Sequence, residues 1–357
     1  MKTLILHLSD IHFQNASDIS KGNLNAIVKA IKNTEDFSSV IVVVSGDVTF
    51  SGMISQYNVA YKFFSNLKNQ IKTTFDIGQV EFCIVPGNHD VNHSDVGLSH
   101  EELEKIFNED RQDECLVKEQ EKMRAFYNHA NGLHCFSDKK SLVCIKDIVV
   151  GGATLRFNLI NTGIYSLKTE EDQGFHYLPS YEMDKLSKEG ECDYVFTIMH
   201  HPHHWYNYKM KKELENRIYE KSDLIFVGHE HYSSTMEIGF NNSQVKIYSG
   251  GELANKGDWS NSEFYAGVLD LDTREYTSYR YKWDATNGLY LRKDEENVVL
   301  GRNRTNKYNL MPTRQYMDDL LQDKKYMISG KYTDYYVFPR LEEEIINEKR
   351  MEKNLQS

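Results

Sequence analysis

The chain has 357 residues, with 42 Lys and Arg against 53 Asp and Glu, which gives a formal net charge of −11. Its five cysteines include no C-x-x-C pair, and no apolar run approaches the roughly 18 residues that cross a bilayer, so composition excludes a disulfide scaffold and a membrane protein and predicts a reducing, cytoplasmic setting. The acidic balance argues against a broad nucleic-acid-coating surface, but it leaves a nuclease open because bound divalent cations supply local positive charge.

The first half of the chain alternates predicted strands with predicted helices. Apolar runs at 4–8, 40–44 and 82–85 indicate three buried strands. Between them, apolar side chains at helical spacing over 23–31 and 57–71 indicate two helices. Each strand is followed by a polar loop at its carboxyl end, which is where ligands collect in open α/β sheets.

A charged, helix-prone segment at about 99–140 then interrupts this order. We expect a helical insertion there, either a cap over the site or a solvated helical hairpin. Beyond it we expect helices at 181–188 and 211–219 and strands at 143–150, 155–160, 194–199, 224–227, 245–248, 265–271 and 275–283. This pattern predicts a domain at 1–283 and a C-terminal extension at 284–357, which is either a connector or partner-binding tail or an ordinary packed helix.

Five short clusters, each directly after a predicted strand, carry the residues that could bind metal. They are Asp10-Ile11-His12, Gly46-Asp47, Gly87-Asn88-His89-Asp90, Met199-His200 and Gly228-His229-Glu230-His231. Each alone has a structural explanation, such as a capped loop, a turn or a satisfied core histidine. Their joint occurrence at strand ends, where a parallel sheet brings loops together, favours a metal centre.

The ligand types and their number predict which metals bind and how many. The candidates are Asp10, His12, Asp47, Asn88, His200, His229 and His231. Imidazole and carboxylate ligands suit Mn, Fe, Zn or Ni. Seven ligands exceed what one ion needs, whereas two ions about 3.5–4 Å apart that share one carboxylate are the usual arrangement for phosphoryl chemistry.

The series D-x-H, G-D, G-N-H-D, H and G-H-x-H resembles that of the calcineurin-like metallophosphoesterase superfamily, from Leu4 through His231 and more loosely to Trp283. The resemblance implies an α/β/β/α sandwich, in which two packed mixed sheets are flanked by helices. It implies that one divalent ion takes Asp10, His12, Asp47 and His231, and that the other takes Asp47, Asn88, His200 and His229. His89 is then expected beside the leaving group as a general acid, with Asp90 orienting its ring.

The resemblance also implies an activity. The Gly-Asn-His-Asp loop and the Gly-His-x-His ending resemble the phosphodiesterase branch, which predicts hydrolysis of a phosphodiester in a cyclic nucleotide, DNA or RNA with two divalent ions, manganese first and Fe, Zn or Ni as alternatives. The other candidates are a phosphomonoesterase such as a protein phosphatase, disfavoured because no Arg adjoins the motifs, and a catalytically silent interaction scaffold.

We also make predictions for several residues outside the motifs. We expect His7, inside the first strand, to be structural, and we leave open whether His201, His204 or His93 reaches substrate. The tail at 335–340 resembles the connector of bacterial defence proteins in which a phosphoesterase is the N-terminal effector. If the tail is such a connector, the chain would assemble through the insertion or this tail, as a homo-oligomer or within a larger defence complex. The alternative is an ordinary packed helix, and no membrane partner is expected.

Overall fold

The computed structural model describes residues 1–18, 21–93, 99–108, 119–133, 136, 141–167, 172–187, 192–240 and 243–300. All of them belong to one compact unit, Met1–Arg302. The predicted tail at 335–340 lies outside the described residues.

The described residues form twelve strands and six α-helices, besides a helical stretch at 119–122. The strands are β1 (Lys2–Leu8), β2 (Ser39–Ser45), β3 (Gln79–Val85), β4 (Val143–Val150), β5 (Ala153–Ile160), β6 (Tyr194–Met199), β7 (Leu224–Val227), β8 (Ser234–Phe240), β9 (Ser243–Ser249), β10 (Glu263–Asp270), β11 (Glu275–Asp284) and β12 (Leu289–Val299). The helices are α1 (Lys21–Ile31), α2 (Ile54–Phe75), α3 (His100–Asn108), α4 (Arg124–Gly132), α5 (Ser180–Met183) and α6 (Tyr208–Lys221).

The strands form two mixed six-stranded sheets that pack face to face. The first has the order β12-β11-β10-β1-β2-β3, in which β1, β2 and β3 are parallel. The second has the order β4-β5-β6-β7-β9-β8, with β5, β6, β7 and β9 parallel and an antiparallel strand at each edge. Strands β2 and β3 contact β5, β6 and β7 across the sandwich. Because both faces of the parallel strands are covered, β2 is buried along its whole length.

Helices complete the sandwich on the outside of the sheets. Helix α2 contacts β3 through the rings of Phe64 and Phe82, whose centroids are 5.7 Å apart, and α1 packs against α2. Helix α6 contacts β8 on the other sheet. The α/β/β/α architecture predicted from the sequence is confirmed. Among the helices that the structure describes, none combines the length and the apolarity needed to cross a membrane.

The structure differs from the predicted elements at two strands, one boundary and one helix. Strand β8 was not predicted, and neither was β12, which pairs with β11 along almost its full length. Because β12 is an exposed edge strand rich in charge, its sequence lacks an apolar alternation. The predicted boundary after residue 283 is therefore wrong, since the sheet continues to Val299. The helix expected at 181–188 is α5 followed by a 3₁₀ turn, Asp184–Ser187.

The described part of the insertion is helical, as predicted, but it packs into the core. The rings of Phe126 on α4 and Tyr57 on α2 lie 6.3 Å apart, and Phe126 is fully buried. This part of the segment is therefore not a solvated hairpin. The predicted cap over the site stays a prediction, because much of 94–118 and 134–140 lies outside the described residues.

Candidate metal centre

The loops that follow β1, β2, β3, β6 and β7 bring all seven predicted metal ligands to one place. These loops leave the carboxyl ends of parallel strands in both sheets, so they meet at one edge of the sandwich. A chain of short distances joins them. For example, the backbone N–H of His229 donates to Oδ2 of Asp10 at 3.2 Å, and Asp47 Oδ2 lies 3.3 Å from Nε2 of His200.

The first group consists of Asp10, His12, Asp47 and His231. One ligand atom from each lies within 4.8 Å of the others. Nε2 of His231 is 3.4 Å from Oδ1 of Asp10, and Nε2 of His12 is 4.0 Å from Oδ2 of Asp47. Three of the four side chains are buried, whereas His231 is 41% exposed and opens the group to solvent.

The second group consists of Asp47, Asn88, His200 and His229, whose possible ligand atoms surround Nε2 of His200. That nitrogen is 3.0 Å from Oδ1 of Asn88, 3.3 Å from Oδ2 of Asp47 and 3.3 Å from Nδ1 of His229. His200 Nδ1 donates to the carbonyl of Ser45 at 2.8 Å, and because a carbonyl only accepts, the neutral ring presents its Nε2 lone pair to the group. Acceptors that converge in this way suit a cation.

The buried polar atoms of these groups test whether a divalent metal would fit. Within the described part of the chain, Oδ1 of Asp10 and both ring nitrogens of His12 have no hydrogen-bond partner, and the nearest polar side-chain atom to Oδ2 of Asp47 is Nε2 of His200, 3.3 Å away. Leaving such atoms unpaired costs about 1–3 kcal/mol each. Divalent ions would satisfy them, and the oxygen and imidazole donors are those that Mn, Fe, Zn and Ni accept. The residues fit a metal centre.

Electrostatics set the protonation states of the ligands. Burial lowers the pKa of His12 to about 3 and that of His229 to about 2, which keeps both imidazoles in the neutral form that binds metal. At His200 burial also lowers the pKa, but the carboxylate of Asp47 outweighs it and raises the pKa to about 9. Burial raises the pKa of Asp10 to about 6. Without a cation, a proton on His200 therefore takes its place.

The backbone is strained at the ligands. Of the non-glycine residues that the structure describes, eight have positive φ, and five of these are predicted ligands: Asp10, His12, Asp47, His229 and His231, with φ between 51° and 75°. The left-handed region costs an ordinary residue on the order of 1–2 kcal/mol. Strain of this kind concentrates at functional sites, where the surrounding structure enforces it.

Because Gly46 and Gly87 have no side chain, there is room beside them for predicted ligands from other loops. A Cβ atom on Gly87 would lie 2.1 Å from Oδ1 of Asp47. Gly46, with φ of +102°, would place its Cβ 2.4 Å from Nδ1 of His200. The glycines in the Gly-Asp and Gly-Asn-His-Asp motifs are therefore required by the close approach of ligands from other loops.

Comparison with known proteins agrees with this geometry. A sequence model of the calcineurin-like phosphoesterases matches residues 3–233, well over half of the chain. The chain belongs to the calcineurin-like phosphoesterase family. No curated protein matches the sequence.

Several solved structures resemble this phosphoesterase. They include the GAP50 anchor of the inner membrane complex of Plasmodium, with 12% identity, a TM-score of 0.48 and coverage of 89% of this chain and 95% of the other. The calcineurin-like phosphoesterase YfkN from Bacillus subtilis has 12% identity and a TM-score of 0.38, over 90% of this chain and 98% of its own. Vps29 of Entamoeba histolytica complexed with zinc has 12% identity and a TM-score of 0.34, over 84% and 99%. Likeness this distant carries no argument about activity.

His89 of the phosphoesterase lies at the first group, but Asp90 does not orient it. The His89 ring is 4.7 Å from that of His12, and its Nδ1 donates to the carbonyl of Phe50 at 2.8 Å. The backbone N–H of His89 donates to Oδ1 of Asp47 at 2.9 Å. The prediction that Asp90 holds the ring is therefore wrong, because a main-chain carbonyl already occupies Nδ1.

Asp90 instead joins two of the loops that carry predicted metal ligands. Its buried carboxylate accepts hydrogen bonds from the backbone N–H groups of Val48 and Gly87, at 3.1 and 3.0 Å, and from the N–H and hydroxyl of Thr49, both at 3.0 Å. The Tyr57 hydroxyl adds a fifth at 2.7 Å. The loop that carries Asp47 and the loop that carries Asn88 thus share one anion.

Of the other histidines considered in the sequence, three lie outside the ligand groups and one, His201, lies beside the second group. His7 is buried and bonded to the Ser45 hydroxyl at 2.8 Å, which confirms the structural role expected of it. His204 Nε2 lies 3.1 Å from Glu230, outside both ligand groups, and His93 Nε2 donates to the Asn88 carbonyl at 3.2 Å. His201, in contrast, is fully buried beside the second group.

Sequence reasoning missed the residues that surround His201. They are Thr162, His176 and Trp205. Thr162 follows β5 and His176 lies in a loop before α5, so neither belongs to a motif whose spacing gives a signal. Trp205 lies close enough to the His-His-Pro segment to have been noted, but nothing in its spacing indicates that its ring contacts His229 at 4.1 Å.

Proposed function

We propose that this phosphoesterase is a dinuclear metal-dependent phosphodiesterase that hydrolyses phosphodiester bonds of nucleotides or nucleic acid. The observation that carries the proposal is the position of Asp47. Its Oδ2 atom lies 4.0 Å from Nε2 of His12 in the first group and 3.3 Å from Nε2 of His200 in the second. One carboxylate between two ligand groups is the arrangement that a pair of ions for phosphoryl transfer requires.

Each ligand group would hold one divalent ion, manganese first, with Asp47 shared between them. When bound, such ions polarise phosphoryl oxygens and make water a nucleophile near neutral pH. The chain itself fixes the ligands. Asp47 keeps Oδ2 directed at both groups because its Oδ1 accepts the backbone N–H of His89. The shared anion of Asp90 holds the two loops at a constant separation.

His89 would supply the proton for the leaving group. Because its Nδ1 donates to the carbonyl of Phe50, the ring orientation is fixed and Nε2 is the atom left to carry that proton. The ring contact with His12, at 4.7 Å, places His89 against the first group. A general acid in this position typically contributes about 10²–10⁴-fold to the rate.

The charges near the site support a diester over a monoester. A monoester dianion calls for additional cationic groups, and the arginines with known partners pair elsewhere: Arg156 with Asp147, Arg217 with Asp184 and Arg280 with Asp294. Lys256 lies nearer, with its ammonium 4.4 Å from the centroid of the Phe50 ring that contacts His89. The ammonium of Lys256 would match the single charge of a diester.

The first test compares a diester with a monoester. We expect the protein with Mn²⁺ to hydrolyse bis-(p-nitrophenyl) phosphate faster than p-nitrophenyl phosphate, and Asp47→Asn to abolish the activity. Asp76→Asn is the matched control, because Asp76 has the same left-handed backbone, with φ of 52°, but ends α2 away from the site. Preference for the monoester would instead indicate a phosphatase. Two bound ions without turnover of either compound would indicate a scaffold.

The remaining expectations stay predictions. DNA, RNA and cyclic nucleotides are the substrates to compare once diester cleavage is measured. Cytoplasmic location and assembly into an oligomer or a larger defence complex through the insertion or the tail belong to the same proposal. Their tests are fractionation of the native host cell and measurement of the mass of the full chain in solution.

A further inference from the structure

His201 adjoins the second ligand group although it belongs to none of the motifs. Its side chain is fully buried. Its ring centroid lies 4.8 Å from that of His200 and 4.5 Å from that of His229. One ring nitrogen from each of the three histidines lies within 4.8 Å of the other two, a spacing at which one ion could contact all three.

Thr162 fixes which nitrogen of His201 faces the group. Nδ1 of His201 lies 2.9 Å from the Thr162 hydroxyl oxygen, and the backbone N–H of His201 donates to the same oxygen at 3.1 Å. Because Nδ1 contacts Thr162, Nε2 is the ring nitrogen left to face His200 and His229. It is buried and has no hydrogen-bond partner among the residues described by the structure.

His176 holds the plane of the His201 ring. The two rings stack with centroids 3.9 Å apart and an interplanar angle of 28°. His176 Nδ1 donates to the Thr162 carbonyl at 3.1 Å, so Thr162 anchors one ring through its main chain and the other through its hydroxyl. The His201 ring is therefore oriented from two sides before any ligand arrives.

The place of the unpaired nitrogen argues against a purely structural role for His201. A buried polar atom without a partner costs about 1–3 kcal/mol. In the described part of the chain, His7 and His129 also have an unpaired buried ring nitrogen, but they lie outside the ligand groups. In His201, Nδ1 is satisfied, and Nε2 is left among other metal-ligand candidates. Thr162 and His176 orient the His201 ring, and its remaining nitrogen, Nε2, has no partner among the described residues.

We propose that His201 binds, through Nε2, the divalent ion that Asp47, Asn88, His200 and His229 would hold. This inference rests on the proposed function, because it requires that ion. It makes the second site richer in nitrogen than the motifs indicate, with three imidazoles in place of two. Thr162 and His176 are positioning residues for this ligand.

The test measures metal binding rather than turnover. Metal-free full-length protein is titrated with Co²⁺, with calorimetry giving stoichiometry and affinity and visible absorption reporting the ligands. Wild type should bind two ions. His201→Gln should weaken one of the two by at least about 10–100-fold, the range lost when a residue that only orients a ligand is replaced, and should alter its absorption band while the other site is unchanged. His204→Gln is the matched control and should bind like wild type.

Thr162→Val provides a second variant should His201→Gln fail to fold. It keeps the imidazole and the side-chain volume but removes the hydroxyl that orients Nδ1, so the same site should weaken by a smaller factor. Circular dichroism and the melting temperature establish that each variant is folded.

The alternative results are distinct. Wild-type Co²⁺ affinity and absorption in folded His201→Gln would overturn the proposal. Unchanged Co²⁺ binding with weaker inhibition by inorganic phosphate would also overturn it, and would assign His201 to substrate contact. A wild-type protein that binds fewer than two ions would refute the dinuclear site itself, which separates failure of the proposed function from failure of this inference.

Discussion

Replacing Asp90 with asparagine tests whether its carboxylate joins the two loops or acts on His89. In the structure, Oδ2 accepts the N–H groups of Val48 and Gly87, and Oδ1 accepts the N–H and hydroxyl of Thr49 and the hydroxyl of Tyr57. Every partner is a donor. An amide offers only one accepting oxygen, so its NH₂ group must face donors.

The size of the effect follows from the better of the two amide orientations. With the NH₂ group in place of Oδ1, the two hydroxyls can turn to accept, but the N–H of Thr49 faces another donor. One buried unsatisfied N–H costs about 1–3 kcal/mol, and the bonds to the other oxygen lose the assistance of the charge. Burial raises the pKa of Asp90, which offsets part of that loss. We therefore expect Asp90→Asn to lower the free energy of unfolding by about 2–4 kcal/mol.

The assay combines urea unfolding with a Mn²⁺ titration. Asp90→Asn should lose stability and bind metal more weakly, because the loops that carry Asp47 and Asn88 lose their common anion. Tyr57→Phe is the graded control and should cost about 1–2 kcal/mol, since one hydrogen bond to the carboxylate is lost. An Asp90→Asn protein with wild-type stability and metal affinity but little turnover would refute this reasoning, and would restore the role beside His89.

Two further predictions concern histidines. His89→Ala should keep both metal sites and lose about 10²–10⁴-fold in turnover, because the ring would supply a proton rather than a ligand; normal turnover in the metal-loaded variant would contradict that role. His129 on α4 is buried against the rings of Tyr57 and Phe64, and burial lowers its pKa to about 4. The unfolded chain takes up a proton below about pH 6.5 while the folded chain does not, so this histidine should reduce stability as pH falls, by about 2 kcal/mol at pH 5. His129→Phe should remove that part of the pH dependence in urea unfolding, and an unchanged slope would show that the histidine is not held neutral.

The sequence was sufficient to locate the loops of the candidate site. Apolar β-branched runs identify buried parallel strands, and since such strands point the same way, residues such as Asp10, Asp47 and His229 had to meet at one edge. Metal binding by these residues stays a prediction. Strand β12 was not predicted, because a charged edge strand carries no apolar period.

The direction of individual side chains could not be predicted. Asp90 follows His89 in sequence, yet its carboxylate points back to the loop after β2, because five donors converge there. The surroundings of His201 were missed for a similar reason. Thr162 and His176 reach it only through tertiary packing, and packing of this kind leaves no spacing to detect.

The left-handed conformation of the predicted ligands has a different consequence at different positions. At His231, which is 41% exposed, glycine would relax the backbone by about 1 kcal/mol while removing a predicted ligand. At Asp47 the same change would also leave the N–H of His89 without its acceptor, so the carboxylate there supports the fold as well. A related chain without need of metal could therefore gain stability by losing His231, whereas the loss of Asp47 would cost stability.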